Sequence, residues 1–319
     1  MQLTESNKPV IAFVALLIGV FAISLAATFV KFSRYELSSY AIASNRLLIS
    51  AIVFGLCNGG ITAFQRLSPK ETVESELYTA KTLGMLVIAG VLWLAALAAV
   101  FWAQSQTSIA IATLLHNLAP IFTSLGAWWF LGKTFERKFV LGMMIAIVGV
   151  GAIGWQEMQI DAIRVQGDFA ALLSAVFLSG YLMIMEQIRT QLSPVTMQMW
   201  ICGIGAFVSL PVLLLTQSPA FPHSFNTWLM ILALACICQG LGHGLLTFSL
   251  DTLSSVVVAL VHLLEPVFAG MLAWIIFSEK LGFSSWIGFT IVLLGLYLAI
   301  MSQTTNDMLQ SELEEPVQN

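Results

Sequence analysis

The sequence predicts an all-α polytopic membrane protein, with ten transmembrane helices arranged as two inverted five-helix repeats. Three observations predict it. Of 319 residues, 58% are hydrophobic and only 9% are charged. A soluble domain carries about 25% charged residues, so this chain has too few polar groups to cover a water-facing surface. Apolar windows near the ~20 residues that cross a hydrocarbon core recur along the whole chain. Finally, the second half repeats the first. Displaced by 146 positions, residues 107–154 lie over 253–300 without a gap, and the identical pairs include His116/His262, Pro120/Pro266, Trp128/Trp274, Gly142/Gly288 and Gly149/Gly295. Apolar segments often coincide by chance in Leu, Ile and Ala, but seldom in His, Pro and Trp at common spacing. Two-fold internal repeats are the usual architecture of membrane transporters.

The elements follow in order. Residues 1–9 form an N-terminal cytoplasmic segment. The run from Val10 to Val30 after Lys8 is longer than a signal-peptide core of roughly 7–15 residues, and it reads as a retained first helix, 10–30. The spans 39–57, 83–103, 108–131 and 137–155 complete the first repeat, 10–155. Its long polar connection, 58–82, is broken by Ser68-Pro69. A linker, 156–167, holds Asp161 and Arg164, which suit an aqueous interface. The second repeat, 168–302, comprises the spans 168–186, 195–216, 227–249, 254–277 and 283–302. The acidic tail, 303–319, lacks hydrophobic periodicity and reads as disordered. An odd number of spans per half makes the second half enter the bilayer from the opposite side, so the repeat is inverted. The first two helices of each half align at a displacement of 156, Ala15-Leu16-Leu17 over Ala171-Leu172-Leu173.

With the N-terminus inside, the inner loops hold Lys8, Arg66, Lys70, Lys81, Lys133, Arg137, Lys138 and Arg189. The outer loops hold Lys31, Arg34, Arg164 and Lys280. The excess on the inside places both termini in the cytoplasm of a bacterial-type inner membrane. No basic patch or aromatic–basic platform points to nucleic acid. Cys57, Cys202, Cys236 and Cys238 all lie in apolar stretches without a CxxC pair, so they read as buried small hydrophobes rather than a disulfide framework or metal site.

Ionisable groups at membrane depth are costly and need a reason. Glu265 stands mid-span in His262-Leu263-Leu264-Glu265-Pro266. His262 and Glu265 share a helix face, and Pro266 frees the carbonyl of His262 by lacking a donor. Glu265 is therefore the candidate binding and proton-coupling group; the bland reading is a His–Glu bond that only joins helices. His116-Asn117 before Pro120 is the first-half counterpart, and the paired histidines face each other if both point inward. Gln104, Gln239 and His243 are polar points on the equivalent third and eighth helices and complete a candidate substrate cavity with Trp102 and Tyr181. Pro120 and Pro266 are its helix breakers. Arg46 pairs with a carboxylate or snorkels towards an interface, and Glu186 forms an interfacial salt bridge with Arg189. Gly142, Gly149, Gly288 and Gly295 read as packing stripes, internal or between subunits of a homodimer. HExxH, GxSG and GxGD patterns and a Walker A loop are missing, so no enzyme activity, cofactor or metal is expected.

Leu264-Glu265-Pro266-Val267-Phe268-Ala269-Gly270, then Phe277-Ser278-Glu279-Lys280-Leu281 and Trp286-Ile287-Gly288, resemble the ending of EamA-type ten-helix members of the drug/metabolite transporter superfamily. Leu118-Ala119-Pro120-Ile121-Phe122 and Leu131-Gly132-Lys133 are similar to its first half, although Lys133 stands where the family often has Glu and Ala119 stands opposite Glu265. The resemblance covers residues 10–302. It implies that helices three, four, eight and nine contribute to a central cavity, with five and ten at the periphery. The expected activity is movement of a small organic metabolite by alternating access, as an exporter and with proton coupling. The alternative is a non-transporting scaffold or receptor subunit. The expected partners are a small-molecule substrate and the lipid bilayer.

Overall fold

The computed structural model describes residues 8–67, 78–106, 109–154, 165–215, 219–277 and 283–314, and every regular element among them is helical. Seven helical stretches are long and apolar enough to cross a bilayer: Lys8–Ser33, Ser39–Phe64, Ala80–Gln106, Val165–Ile188, Pro194–Leu215, Phe225–Ser249 and Ser255–Leu272. Large apolar side chains such as Leu56, Phe207 and Leu214 point outward from the bundle. Exposed apolar bands of this kind are solvated by lipid, and the chain is a multi-pass membrane protein.

The first stretch is α1 (Lys8–Ser24) and α2 (Ala26–Ser33), interrupted at Leu25. Then come α3 (Ser39–Leu67), α4 (Ala80–Gln106), α5 (Ile109–His116), α6 (Ala119–Leu131) and α7 (Arg137–Gly154). The second half holds α8 (Val165–Ile188), α9 (Pro194–Leu215), α10 (Phe225–Ala233), a π-helical stretch (Leu234–His243) and α11 (Gly244–Ser249). It ends with α12 (Ser255–His262), α13 (Glu265–Phe277) and α14 (Phe283–Glu314). The pair α5–α6 recurs as α12–α13 with every bound displaced by 146, and both breaks fall between a histidine and a proline. Pro120 and Pro266 cannot donate to the carbonyls of His116 and His262, so each helix stops at its histidine and restarts after a gap of two residues.

Two expected boundaries move. Helix α3 runs to Leu67, past the expected end at 57, because nothing between Asn58 and Leu67 stops it except two helix-weakening glycines. Residues 303–314, expected as a disordered tail, continue α14 to Glu314; no Gly or Pro intervenes before Pro316. Ser68-Pro69, Asp161 and Arg164 lie outside the described residues.

Close helix contacts rest on small residues, since lipid gives no hydrophobic drive for helices to associate. Helices α7 and α14 pack along their length. A Cβ on Gly142 would lie 2.6 Å from the Ala299 nitrogen and 2.7 Å from the Gly295 oxygen, and one on Gly149 would lie 2.6 Å from the Val292 nitrogen. The glycine stripes face each other inside one chain, which resolves the alternative left open by the sequence. Helix α1 approaches the π-helical stretch in the same way, with a Cβ on Gly19 falling 2.8 Å from the Gly242 oxygen.

The cysteines divide. Cys202 and Cys238 are buried, whereas Cys57 and Cys236 are exposed on the outside of the bundle; all four are free. The expectation of four buried thiols is thus corrected for two, whose small apolar side chains suit a lipid-facing surface.

Candidate functional site

The polar residues of the membrane core converge on Arg46. It lies about two turns into α3, is 2% exposed, and neither meets a carboxylate nor snorkels. Its Nε donates to Gln239 Oε1 at 3.0 Å, and its guanidinium lies 5.6 Å from the ring centre of Trp93 on α4. Trp93 in turn stacks on Tyr181 of α8 with ring centres 4.9 Å apart and meets His243 at 4.4 Å. A cation on an indole face is attracted by the ring quadrupole, more strongly where water is excluded.

A chain of amides extends from this point. Gln239 Nε2 donates to Gln198 Oε1 at 3.1 Å. Gln198 Nε2 donates to the Tyr181 hydroxyl at 2.8 Å and to Thr247 Oγ1 at 2.6 Å. Ser50 Oγ donates to the carbonyls of Arg46 at 2.7 Å and Ala235 at 3.3 Å, which ties α3 to the π-helical stretch. That stretch carries both Gln239 and His243, and both are buried. π-Helical insertions are rare and frequent at functional sites.

The two helix breaks flank this centre. His262 Nε2 lies 3.5 Å from Glu265 Oε2 across the second break. Glu265 opens α13, where the positive end of the helix dipole favours a carboxylate. Glu265 and Arg46 act on each other electrostatically without touching. At the first break His116 Nδ1 pairs with Ser174 Oγ of α8 at 2.8 Å, and His116, His243 and His262 lie within electrostatic reach of one another. Asn117 is buried and turns back on its own helix, its Nδ2 donating to the Thr113 carbonyl at 2.8 Å. Ser179 Oγ donates to the Ala119 carbonyl at 2.9 Å and so pins the break to α8.

The structure therefore gathers Gln239, His243, Tyr181, His262 and Glu265, with His116 and Asn117 at the paired break. It does not gather Trp102 and Gln104. Trp102 is 42% exposed; it lies nine residues from Trp93, about 2.5 helical turns, hence on the opposite face. Gln104 sits near the end of α4, where its carbonyl accepts from Arg34 Nη1 at 3.1 Å. Trp93, Gln198 and Thr247 were missed by sequence reasoning. The signal for Trp93 was its place mid-span, away from an interfacial belt.

At one end of the bundle Glu186 pairs with Lys133 at 2.7 Å, not with Arg189 as expected. Its other oxygen accepts from the Ser255 N–H at 3.2 Å, at the start of α12. Arg189 instead donates to the carbonyls of Leu250 and Leu253. At the other end Glu36 accepts from the N–H groups of His223 and Ser224, beside a cleft of about 430 Å³ that also involves Phe32, Tyr35 and Met230. Among the described residues no group of three His, Cys, Asp or Glu is placed to hold a metal ion.

A family model described as the EamA-like transporter family matches residues 10–155 and 165–301. A solved crystal structure, described only as that of a protein, superposes with a TM-score of 0.73 at 16% identity, covering 95% of this chain and 99% of that one. No curated protein matches in sequence.

Proposed function

The chain belongs to the EamA-like transporter family, in the drug/metabolite transporter superfamily, whose members are transporters and not enzymes, and from this premise we propose that it is a secondary carrier moving a small organic metabolite by alternating access. In this reading it exports its solute across an inner membrane, draws on the proton gradient through Glu265, and performs no covalent chemistry. The observation that carries the reading is the buried polar centre built on Arg46 and Gln239 and flanked by two broken helices, one of which carries Glu265. Discontinuous helices around a midplane site are how carriers expose backbone and dipole ends to a solute.

Ten spans in two inverted repeats remain the topology we favour, with α5–α6, α7 and α14 supplying the three beyond the seven stretches long and apolar enough to cross. The recurrence of α5–α6 as α12–α13 supports the repeat. Hydrogen bonds between chain segments support the count, because each joins loops or span ends that ten alternating spans put on one side. Glu186 with Lys133 and Ser255, Thr82 with Gln191, and Ser302 with Glu136 share the proposed cytoplasmic face. Arg34 with Gln104 and Glu36 with His223 share the other.

The test begins with a metabolite and toxicity screen of cells with and without the protein, followed by flux of the solutes it finds into liposomes holding only the purified chain. Saturable flux above empty liposomes is the expected result. A protein that alters cellular content but moves no solute in liposomes is a scaffold or receptor subunit instead.

A further inference from the structure

Three side chains in contact at the bundle centre each keep a polar atom without a partner: Arg46 Nη2, Trp93 Nε1 and His243 Nδ1. All three residues are at most 3% exposed. Leaving a charged donor unpaired away from water is among the larger penalties a fold can carry. Arg46 is the one buried Lys or Arg among the described residues, and none of their carboxylates forms an ion pair with it. Its Nε is held by a neutral amide, and Glu265, the nearest candidate counter-ion, is turned to His262.

We propose, resting on the carrier reading, that the transported solute bears a carboxylate that is received by Arg46 Nη2 and the Trp93 indole N–H. Two N–H donors on adjacent side chains match the two oxygens of one carboxylate, and the guanidinium supplies the charge that an amide oxygen would not use. A phosphate ester is the weaker match, because its higher charge calls for a second cation and no other buried one is described here. Trp93, stacked on Tyr181 and tilted against His243, packs beside the Arg46 guanidinium, so the donor is positioned before the solute arrives.

The test uses the full chain in lipid nanodiscs and reads thermal stabilisation by the standard L-amino acids, acetate, benzoate and succinate, each beside its primary amide. At least one carboxylate is expected to stabilise the protein, with its amide weaker by about tenfold or more, the worth of one charge-assisted hydrogen bond. Arg46→Gln should abolish that discrimination. Trp93→Phe keeps an aromatic ring beside Arg46 while removing the Nε1 donor and the smaller ring of the indole, so it should weaken carboxylate binding about tenfold even if Arg46→Gln does not fold. Amides binding as tightly as acids, no acid in the panel binding, or unchanged binding in Trp93→Phe would each overturn the proposal. Carboxylate binding without flux in liposomes would leave this site standing and remove the carrier reading; flux that is indifferent to a carboxylate would do the reverse.

Discussion

Gln198 links α8, α9, the π-helical stretch and α11 through one amide, donating to Tyr181 and Thr247 and accepting from Gln239. Gln198→Leu removes all three of these buried hydrogen bonds, although Thr247 still donates to the His243 carbonyl and Gln239 still accepts from Arg46, and a loss of about 2 kcal/mol is expected. Tyr181→Phe removes a single acceptor and should cost about 1 kcal/mol, because Thr247 still receives the Gln198 amide. Denaturant or thermal unfolding in nanodiscs checks the order of the two. Outside the membrane, Glu36 is held down to about 2 by hydrogen bonding from the Ser224 side chain, then by the His223 N–H. A depressed carboxyl stabilises the fold above its ordinary value of 4.5 and loses that contribution as pH falls from there towards 2. Glu36→Gln should therefore show a smaller fall in melting temperature between pH 5 and pH 3 than the parent does. The place of Glu265 inside the bundle was legible in the sequence, because a mid-span carboxylate is costly and stands out. Gln198 was not, since it stands three residues from the start of its expected span, where a polar group normally meets water.

Two kinds of helix irregularity shape the elements. The proline breaks were readable, because Pro120 and Pro266 follow polar residues at matched positions. The π-helical stretch was not, because nothing in Leu234–His243 announces an extra residue in the turn; its form answers to Arg46, Ser50 and Gly19 on other helices, and those contacts are invisible in a linear reading. Pro266→Ala gives His262 back a hydrogen-bond donor and should let α12 run into α13. Folded yield is expected to hold while solute flux falls at least tenfold, as the helix break between His262 and Glu265 is lost. The α7–α14 contact predicts the opposite pattern. Gly149→Leu or Gly295→Leu drives a side chain into backbone that an added Cβ would already meet at under 3 Å. Overpacking of this kind costs about 1–3 kcal/mol or more, so folded yield should drop, with solute preference unchanged in whatever folds. Normal yield with altered preference would contradict that role.

At the scale of the whole molecule, the arrangement is a bundle whose polar groups gather in the middle and at the two ends, with apolar bands between. Lys and Arg counts in the loops and the proposed ten spans predict that both termini lie in the cytoplasm; tags at each end should be shielded in intact cells and reached only after permeabilisation. The repeat made this architecture readable early, because matched His, Pro and Trp survive where apolar identity carries little information. The arrangement of the centre was less readable, since Arg46, Trp93 and Gln239 come from segments far apart in the chain. In the proposed carrier, Glu265 couples solute movement at this centre to protons. The direct measurement is flux in proteoliposomes under an imposed pH gradient, comparing the parent with Glu265→Gln, which keeps size and hydrogen bonding but cannot titrate. The account predicts that the variant folds yet loses gradient-driven flux; flux equal to the parent at every pH would contradict it and leave Glu265 as a residue that only joins helices.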